Sequence, residues 1–136
     1  MVKRIATPVN LIILNQEKIL LIKRAEKEDK FYGFWSIPGG GTEINETYEE
    51  ALDREILEEI SCKIKSRKYF KSYYYKVNED LHVRSIYFEG EIEGIIKLNK
   101  ESLEYKWFSY EEIKNPNLKI AFNQREVLTE FIKFKS

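Results

Sequence analysis

Hydrophobic and polar positions follow two periods along this chain, and the change of period separates strand-like from helix-like segments. The strand-like segments are apolar runs rich in β-branched residues, or stretches in which apolar and polar residues alternate. The polar turns Asn15-Gln16-Glu17 and Asn78-Glu79-Asp80 join two pairs of these segments as hairpins. The predicted strands lie at about residues 4–14, 18–24, 63–76, 82–93 and 104–109.

Residues 47–61 follow a helical period instead. Thr47 is a suitable N-cap, and Glu50, three residues later, completes a capping box. The segment contains no Pro, and its Ala, Leu, Glu and Arg residues favour the helix. At about 100° per residue, the apolar side chains of one arc of this helix are Leu52, Ile56, Leu57 and Ile60.

Two further helices are predicted near the end of the chain. Ser109, followed by Tyr-Glu-Glu, is typical of a helix start, and Pro116 stops that helix. The final helix covers about residues 122–134 and carries Phe122 on its apolar face. No linker, repeat or low-complexity segment interrupts these elements, so we expect one α+β domain over residues 1–136.

Carboxylates crowd the arc of the first helix that lies opposite the apolar one. Glu55 and Glu59 are a like-charged i, i+4 pair, which destabilises an isolated helix by roughly 0.2–0.5 kcal/mol. A bound cation would remove this repulsion, whereas within the helix only Arg54 offers charge relief, to Glu58. Glu-rich helix faces are usually only solvated surface, so the residues before the helix decide between the two interpretations.

The segment that leads into this helix is Trp35-Ser36-Ile37-Pro38-Gly39-Gly40-Gly41. Consecutive glycines let the backbone approach a metal ion or a phosphate closely, and the Gly39 carbonyl could add a hard oxygen ligand to the glutamates. Oxygen ligands without a nearby Cys or His suit Mg²⁺ or Mn²⁺ rather than zinc. The sequence therefore predicts a divalent-metal site at the junction of loop and helix.

Residues 40–62 resemble the Nudix box of the Nudix hydrolases, the MutT-like pyrophosphatases. The spacing is G-x5-E-x7-R-E-U-x-E-E, and its fixed positions are Gly40, Glu46, Arg54, Glu55, Glu58 and Glu59. Ser61 stands where the family has Gly, which bears on the helix C-cap, and Cys62 stands where it has a bulky aliphatic residue. Outside the box, the resemblance covers most of the chain, from the hairpin ending in Lys23-Arg24-Ala25 to Trp107-Phe108.

The resemblance implies a Nudix fold, in which a mixed β-sheet is sandwiched between α-helices (α/β/α). It also implies a Mg²⁺-dependent enzyme, with Mn²⁺ as a possible substitute, that cleaves a pyrophosphate bond in a nucleoside diphosphate linked to X. Val77 and Asn78 stand where the ADP-ribose branch tends to carry Pro, which favours a (deoxy)nucleoside triphosphate, cleaved to the monophosphate and pyrophosphate. The alternatives are a nucleotide-sugar or ADP-ribose pyrophosphatase, a non-catalytic nucleotide-binding Nudix module, and a plain interaction domain.

The resemblance further implies residue roles. Arg54 would orient the glutamates, and Glu55 or a glutamate from the loop before the Trp-Phe strand would be the general base. Glu101 and Glu104 are the loop candidates, and MutT-like spacing favours Glu101 as a further metal ligand. Two or more divalent ions would bridge the diphosphate and activate a water. The ligands of these ions would be Gly39, Glu55, Glu58, Glu59 and Glu101.

Substrate contacts are also implied by the resemblance. Ile37 and Gly40 would contribute them from the glycine-rich segment. Arg24 matches a phosphate-contacting position, with an exposed strand-end cation as the alternative. Asn123 lies one residue from the position at which MutT-like proteins carry an Asn that recognises the purine. The favoured interpretation of Asn123 is a helix N-cap.

Composition limits the partners. Lys+Arg and Asp+Glu both number 23, so no overall basic field exists to hold polymeric nucleic acid. The cationic residues between Lys63 and Lys71 are predicted to form the solvent face of a strand, with phosphate steering as the alternative.

No apolar run is long enough for a membrane span, and residues 1–4 lack a signal-peptide core. A single Cys fits a reducing cytoplasm, and a small-molecule nucleotide substrate and a monomer or homodimer are expected.

Other chemistries are disfavoured. The glycine run lacks the Lys-Ser/Thr of a P-loop. His82 is the one His of the chain and is expected to be structural or solvated, which argues against zinc catalysis and His-based triads. Cys62 is expected to pack in the core rather than act as a nucleophile.

Overall fold

The computed structural model describes residues 2–136, and Met1, the first residue of the predicted domain, lies outside this range. The strands are β1 (Arg4–Ala6), β2 (Val9–Asn15), β3 (Lys18–Arg24), β4 (Trp35–Ser36), β5 (Gly39–Gly40), β6 (Lys63–Lys76), β7 (Leu81–Glu93) and β8 (Ser102–Ser109). The helices are α1 (Tyr48–Ile60), α2 (Tyr110–Lys114) and α3 (Gln124–Lys135).

Strand β2 lies at the centre of a mixed sheet. Its residues 9–13 pair in parallel with residues 86–90 of β7, and its end pairs antiparallel with β3, where Leu14 faces Ile19. Strand β6 pairs antiparallel with the other edge of β7, and β8 pairs antiparallel with β3. The predicted mixed sheet is therefore confirmed.

Two hydrophobic cores cover the two faces of this sheet. Successive side chains of a strand point to opposite faces, so Ile12 of β2 joins one core and Leu11 and Ile13 join the other. Helix α3 packs onto the face of Ile12, and α1 packs onto the face of Leu11 and Ile13. This is the predicted α/β/α arrangement. No helix within residues 2–136 has the length and apolar character that crossing a membrane requires.

The boundaries of helix α1 agree with the prediction, but one side chain of the predicted apolar arc, Leu57, is exposed. Thr47 accepts a hydrogen bond from the Glu50 N–H, and Glu50 closes the capping box. Ser61 adopts the left-handed conformation (φ 60°) without Gly, and its N–H donates to the Leu57 carbonyl at 3.1 Å. Leu57 is 56% exposed, because it lies about 100° around the helix from the fully buried Ile56.

The other corrections lie at element ends. The predicted strand 4–14 is divided before Val9, because Pro8 has no N–H; its carbonyl instead accepts from the Ile86 N–H at 2.9 Å. Strand β8 begins at residue 102 rather than 104. Phe122 precedes α3 instead of lying on its apolar face, and its backbone is left-handed (φ 58°).

His82 and Cys62, which were predicted to be structural, are both buried. His82 is buried and contacts the Tyr74 hydroxyl, and Cys62 is buried in the α1 core. Along β6, Lys63, Lys65 and Lys68 are exposed, which agrees with the predicted solvent face of a strand.

Candidate active site

Two glycines of β5 allow close contacts on both sides of the loop before α1. A Cβ atom on Gly39 would lie 2.1 Å from the Val9 carbonyl oxygen of β2, and one on Gly40 would lie 2.4 Å from a carboxyl oxygen of Glu55. Any side chain at these positions would push the loop away from the sheet or displace Glu55. The glycine run therefore places the backbone directly against the carboxylate face of α1.

Glu59 lies beneath this loop and is partly buried. The Gly39 N–H donates a hydrogen bond to its Oε1 at 2.9 Å. Burial raises the pKa of Glu59 to about 8, and the nearby charges of Glu55 and Glu101 act in the same direction, while the Gly39 N–H and Arg24 oppose them. The Glu59 carboxyl is thus buried next to two other carboxylates.

Arg54 connects the loop to the helix. Its Nε donates to Glu46 at 3.1 Å, and its Nη2 donates to the Gly41 carbonyl at 2.9 Å. Its Nη1 donates to Glu55 at 2.9 Å. Hydrogen bonding to Glu46 is the largest contribution that raises the pKa of Arg54, so the guanidinium stays charged. Burial raises the pKa of Glu55 despite its bond to Arg54. The exposed Glu58 contacts the same guanidinium at 3.5 Å.

The two loop glutamates differ sharply in position. Glu101 lines a small cavity of about 40 Å³ together with Glu59 and Arg24, and its charge raises the pKa of both Glu55 and Glu59. Glu104 instead forms an exposed ion pair with Lys23 at 3.3 Å. Only Glu101 therefore belongs to the carboxylate group of the site.

A larger cavity of about 160 Å³ adjoins Glu59. All the residues predicted for substrate contact line it, namely Arg24, Ile37, Gly40 and Asn123. Its polar wall is ordered by Gln124, whose side-chain oxygen accepts from the Ile37 N–H at 2.8 Å. Arg24 and Glu59 line both cavities, so the larger one opens beside the carboxylates.

Asn123 has the N-cap position of α3 but does not act as a cap. Its side chain makes no capping hydrogen bond, and its buried Oδ1 has no hydrogen-bond partner within residues 2–136. The favoured interpretation as the N-cap of the last helix is therefore confirmed for its position, but the side chain does not supply the capping hydrogen bond. A buried acceptor without a partner is costly, and this one belongs to a residue that lines the larger cavity.

Several residues of this cavity were missed by sequence reasoning. Tyr75 of β6 and Ser85 and Tyr87 of β7 line it, and the alternation of Ser85 and Tyr87 on one strand face is a signal that could have found them. Asp29 was also missed, although it contacts a residue of the cavity: it accepts a hydrogen bond from the Arg24 Nε at 2.7 Å. No such signal could have found Asp29, because it lies in an irregular loop.

The carboxylates form a plausible chemical environment for a hard cation, although they do not converge on one point. Within residues 2–136 no three His, Cys, Asp or Glu side chains form a ready group that could hold a metal ion. Arg54 already pairs with part of this group, because both Glu55 and Glu46 accept hydrogen bonds from its guanidinium. The donor set is nevertheless all oxygen, and a cation would favour the ionised form of Glu59, whose pKa is raised chiefly by burial and further by the charges of Glu55 and Glu101.

A sheet between two helical layers, a glycine loop on a carboxylate helix and an adjoining polar cavity agree with the arrangement expected of a hydrolase that acts on phosphoric anhydrides. Known proteins agree with this class. The family model for the NUDIX domain matches residues 4–131, and the chain belongs to this family.

Similar proteins support the same conclusion. An ADP-ribose pyrophosphatase of Methanocaldococcus jannaschii is 34% identical over 134 residues, which cover 96% of this chain and 75% of that protein. Nucleoside triphosphatase NudI of Escherichia coli is 30% identical over 125 residues, covering 81% of this chain and 86% of that protein. The crystal structure of a MutT protein from Methanosarcina mazei Go1 has a TM-score of 0.84 at 26% identity, and the match covers 98% of this chain and 97% of that chain.

Proposed function

We propose that this protein is a Mg²⁺-dependent nucleotide pyrophosphohydrolase that converts a nucleoside or deoxynucleoside triphosphate and water to the monophosphate and pyrophosphate. The observation that carries the proposal is the shared wall of the two cavities. Arg24 and Glu59 border both the polar cavity, which suits a base and sugar, and the carboxylate group, which suits a metal-bound phosphate chain.

The divalent ion would be held by oxygens of Gly39, Glu55, Glu58, Glu59 and Glu101. When bound, it supplies Lewis-acid stabilisation of the charge that develops on the phosphoryl oxygens. Arg54 orients Glu55 through its Nη1 and fixes the loop through Glu46, so the position of Glu55 relative to the loop is set before a ligand binds. Arg24 binds the phosphates of the leaving group through its guanidinium.

The attacking water must lose a proton, and two carboxylates are candidates to accept it. Glu55 is the box candidate, because burial raises its pKa and makes it a better base. Glu101 is the loop candidate, because it lies in the same charged group. The unpartnered Asn123 Oδ1 would accept a hydrogen bond from an N–H of the nucleobase.

A second candidate function is cleavage of ADP-ribose to AMP and ribose 5-phosphate. It is favoured by the relative from Methanocaldococcus jannaschii, which carries that activity in its name and covers nearly the whole chain. The name of the Escherichia coli relative favours nucleoside triphosphates instead.

The deciding experiment is a substrate panel of nucleoside triphosphates, deoxynucleoside triphosphates, ADP-ribose, dinucleoside polyphosphates and nucleotide sugars, with Mg²⁺ and separately with Mn²⁺. Chromatography of the products identifies the bond that is cleaved. A nucleoside monophosphate with pyrophosphate supports the proposal, and AMP with ribose 5-phosphate as the main activity supports the second candidate. The absence of any product would contradict both and leave a binding module.

Substitutions on α1 test the site itself. Glu55→Gln and Glu59→Gln keep the side-chain size but remove a charge, and each should lower turnover at least about a hundredfold. Glu104→Gln is the matched control, because that carboxylate pairs with Lys23 outside the site. Turnover close to wild type in both α1 variants would refute the assignment of this face.

A further inference from the structure

Phe122 has a backbone conformation that its side chain does not favour. Its φ is 58°, and bulky residues rarely enter this left-handed region, which usually takes Gly or Asn. The neighbouring backbone fixes it, because the Ala121 N–H donates to the Trp35 carbonyl at 2.8 Å and the Gln124 N–H donates to the Ala121 carbonyl at 3.1 Å. Strain of this kind is retained at sites where the fold needs the side chain in one place.

Core packing does not explain the phenyl ring. Phe122 is 46% exposed and lines the larger cavity. The ring contacts Phe31, with ring centroids 4.7 Å apart, and the Arg24 guanidinium lies over it, 4.9 Å from the centroid. A guanidinium at this distance from a ring is attracted to the negative face of the π system.

The same guanidinium is held from a second direction by the loop after β3. Asp29 accepts hydrogen bonds from Nε of Arg24, at 2.7 Å, and from its NH2 group. Asp29 also accepts from the Phe31 N–H at 3.0 Å, and Phe31 in turn packs on Phe122. Arg24 is therefore enclosed by one carboxylate and one ring that are themselves connected.

We propose that Phe122 is a positioning residue that fixes the Arg24 guanidinium on the border between the polar cavity and the carboxylates. This inference rests on the proposed function, in which Arg24 meets the phosphates of a nucleotide. Arginine loses considerable rotamer entropy when it binds a ligand, and an arginine already ordered by a ring and a carboxylate loses less. The strained backbone of Phe122 is what places the ring there.

A direct role of the ring, stacking on the nucleobase, is the competing explanation. The two differ in one respect: a positioning residue acts through Arg24, whereas a stacking residue acts without it. A double-mutant cycle between Phe122 and Arg24 separates them, because residues that act through one another have non-additive effects.

The cycle uses Phe122→Leu, Arg24→Met and the double variant, with the best substrate of the panel. Phe122→Leu should raise KM roughly two- to fivefold, with a smaller change in kcat, and Phe122→Tyr should restore KM. In the Arg24→Met background, Phe122→Leu should leave KM unchanged. Phe134→Leu is the control, because Phe134 is 62% exposed and contacts Phe70, outside the cavity. An equal rise of KM in both backgrounds would overturn the positioning role.

A measurement without substrate separates this inference from the proposed function. Urea unfolding of the same variants gives a second cycle, in which the two substitutions should be non-additive by roughly two- to fivefold in the unfolding equilibrium constant. Additive effects on unfolding would overturn the contact even if nucleotides are hydrolysed. If no nucleotide is hydrolysed, or if Arg24→Met leaves KM unchanged, the proposed function or the role of Arg24 fails, while the unfolding cycle still decides whether Phe122 orders Arg24.

Discussion

Charge balance at the site depends on single residues, and Arg54 is the main one. Its guanidinium is shared among Glu43, Glu46, Glu55 and Glu58. Within residues 2–136 the Glu59 carboxyl instead accepts a hydrogen bond from the Gly39 N–H, and the charge of Arg24 adds a smaller favourable interaction. The protein thus neutralises the outer part of the carboxylate group and leaves the inner part electronegative.

The pH dependence of stability should reveal the burial of Glu59. The pKa of Glu59 is about 8 in the folded protein, whereas the ordinary pKa of a glutamate is 4.5, so this group ionises in the unfolded chain first as pH rises. The contribution of Glu59 to stability is therefore constant below about pH 4.5, falls between about pH 4.5 and 8, and stays low above that range. Glu59→Gln removes the titration, so urea unfolding without metal should show the variant gaining stability relative to wild type as pH rises from 5 to 8, by roughly 1.4 kcal/mol per pH unit at most. Parallel pH profiles would contradict the buried carboxyl.

Glu101 and Glu104 provide a matched pair for the loop before β8. Glu101→Gln should slow the reaction by roughly 10–100-fold and raise the Mg²⁺ concentration for half-maximal rate, because an anionic ligand is lost. Glu104→Gln should have little effect, since its partner is Lys23. An unchanged Mg²⁺ requirement with loss of the acidic limb of the pH–rate profile would make Glu101 the general base instead. Full activity of Glu101→Gln at limiting Mg²⁺ would exclude both roles.

At the scale of elements, helix α1 shows how far local rules extend. The capping box, the boundaries and the carboxylate face were predicted from spacing, because each depends on residues within a few positions of one another. The exposure of Leu57 was not, because the width of the buried stripe is set by the strands beneath the helix. The same limit applies to Asn123, whose cavity is built by distant strands.

Neighbouring residues of α1 test the corrected face. Ile56 is fully buried and Leu57 is 56% exposed. Ile56→Ala should lower the free energy of unfolding by about 2–5 kcal/mol, because it leaves a cavity in a packed core, whereas Leu57→Ala should change it by less than about 1 kcal/mol. Chemical denaturation of the two variants measures both values. Similar losses would mean that α1 is rotated relative to the sheet.

At the scale of the whole molecule, the site is formed where distant segments meet. The family, the α/β/α arrangement and the carboxylate helix follow from motifs that are continuous in the sequence. The polar cavity is discontinuous, since it combines Asn10 of β2, Tyr87 of β7 and Gln124 of α3. Sequence periodicity gives the face of each element but not which faces meet, so the cavity could be recognised only in three dimensions.

The parallel contact between β2 and β7 also bears on the order of folding. Val9 faces Ile86 across this contact, whereas the hairpins β2–β3 and β6–β7 need only short turns. Contacts of long sequence separation cost more chain entropy to close, so the hairpins should form first and the central contact last. In pulse-labelled hydrogen exchange during refolding, amides of β6 that bond β7 should become protected before amides of β2 that bond β7. Simultaneous protection would make the central contact part of the nucleus instead. A nascent chain that has not yet reached Ile86 would accordingly expose the apolar strand β2 to aggregation or to chaperones.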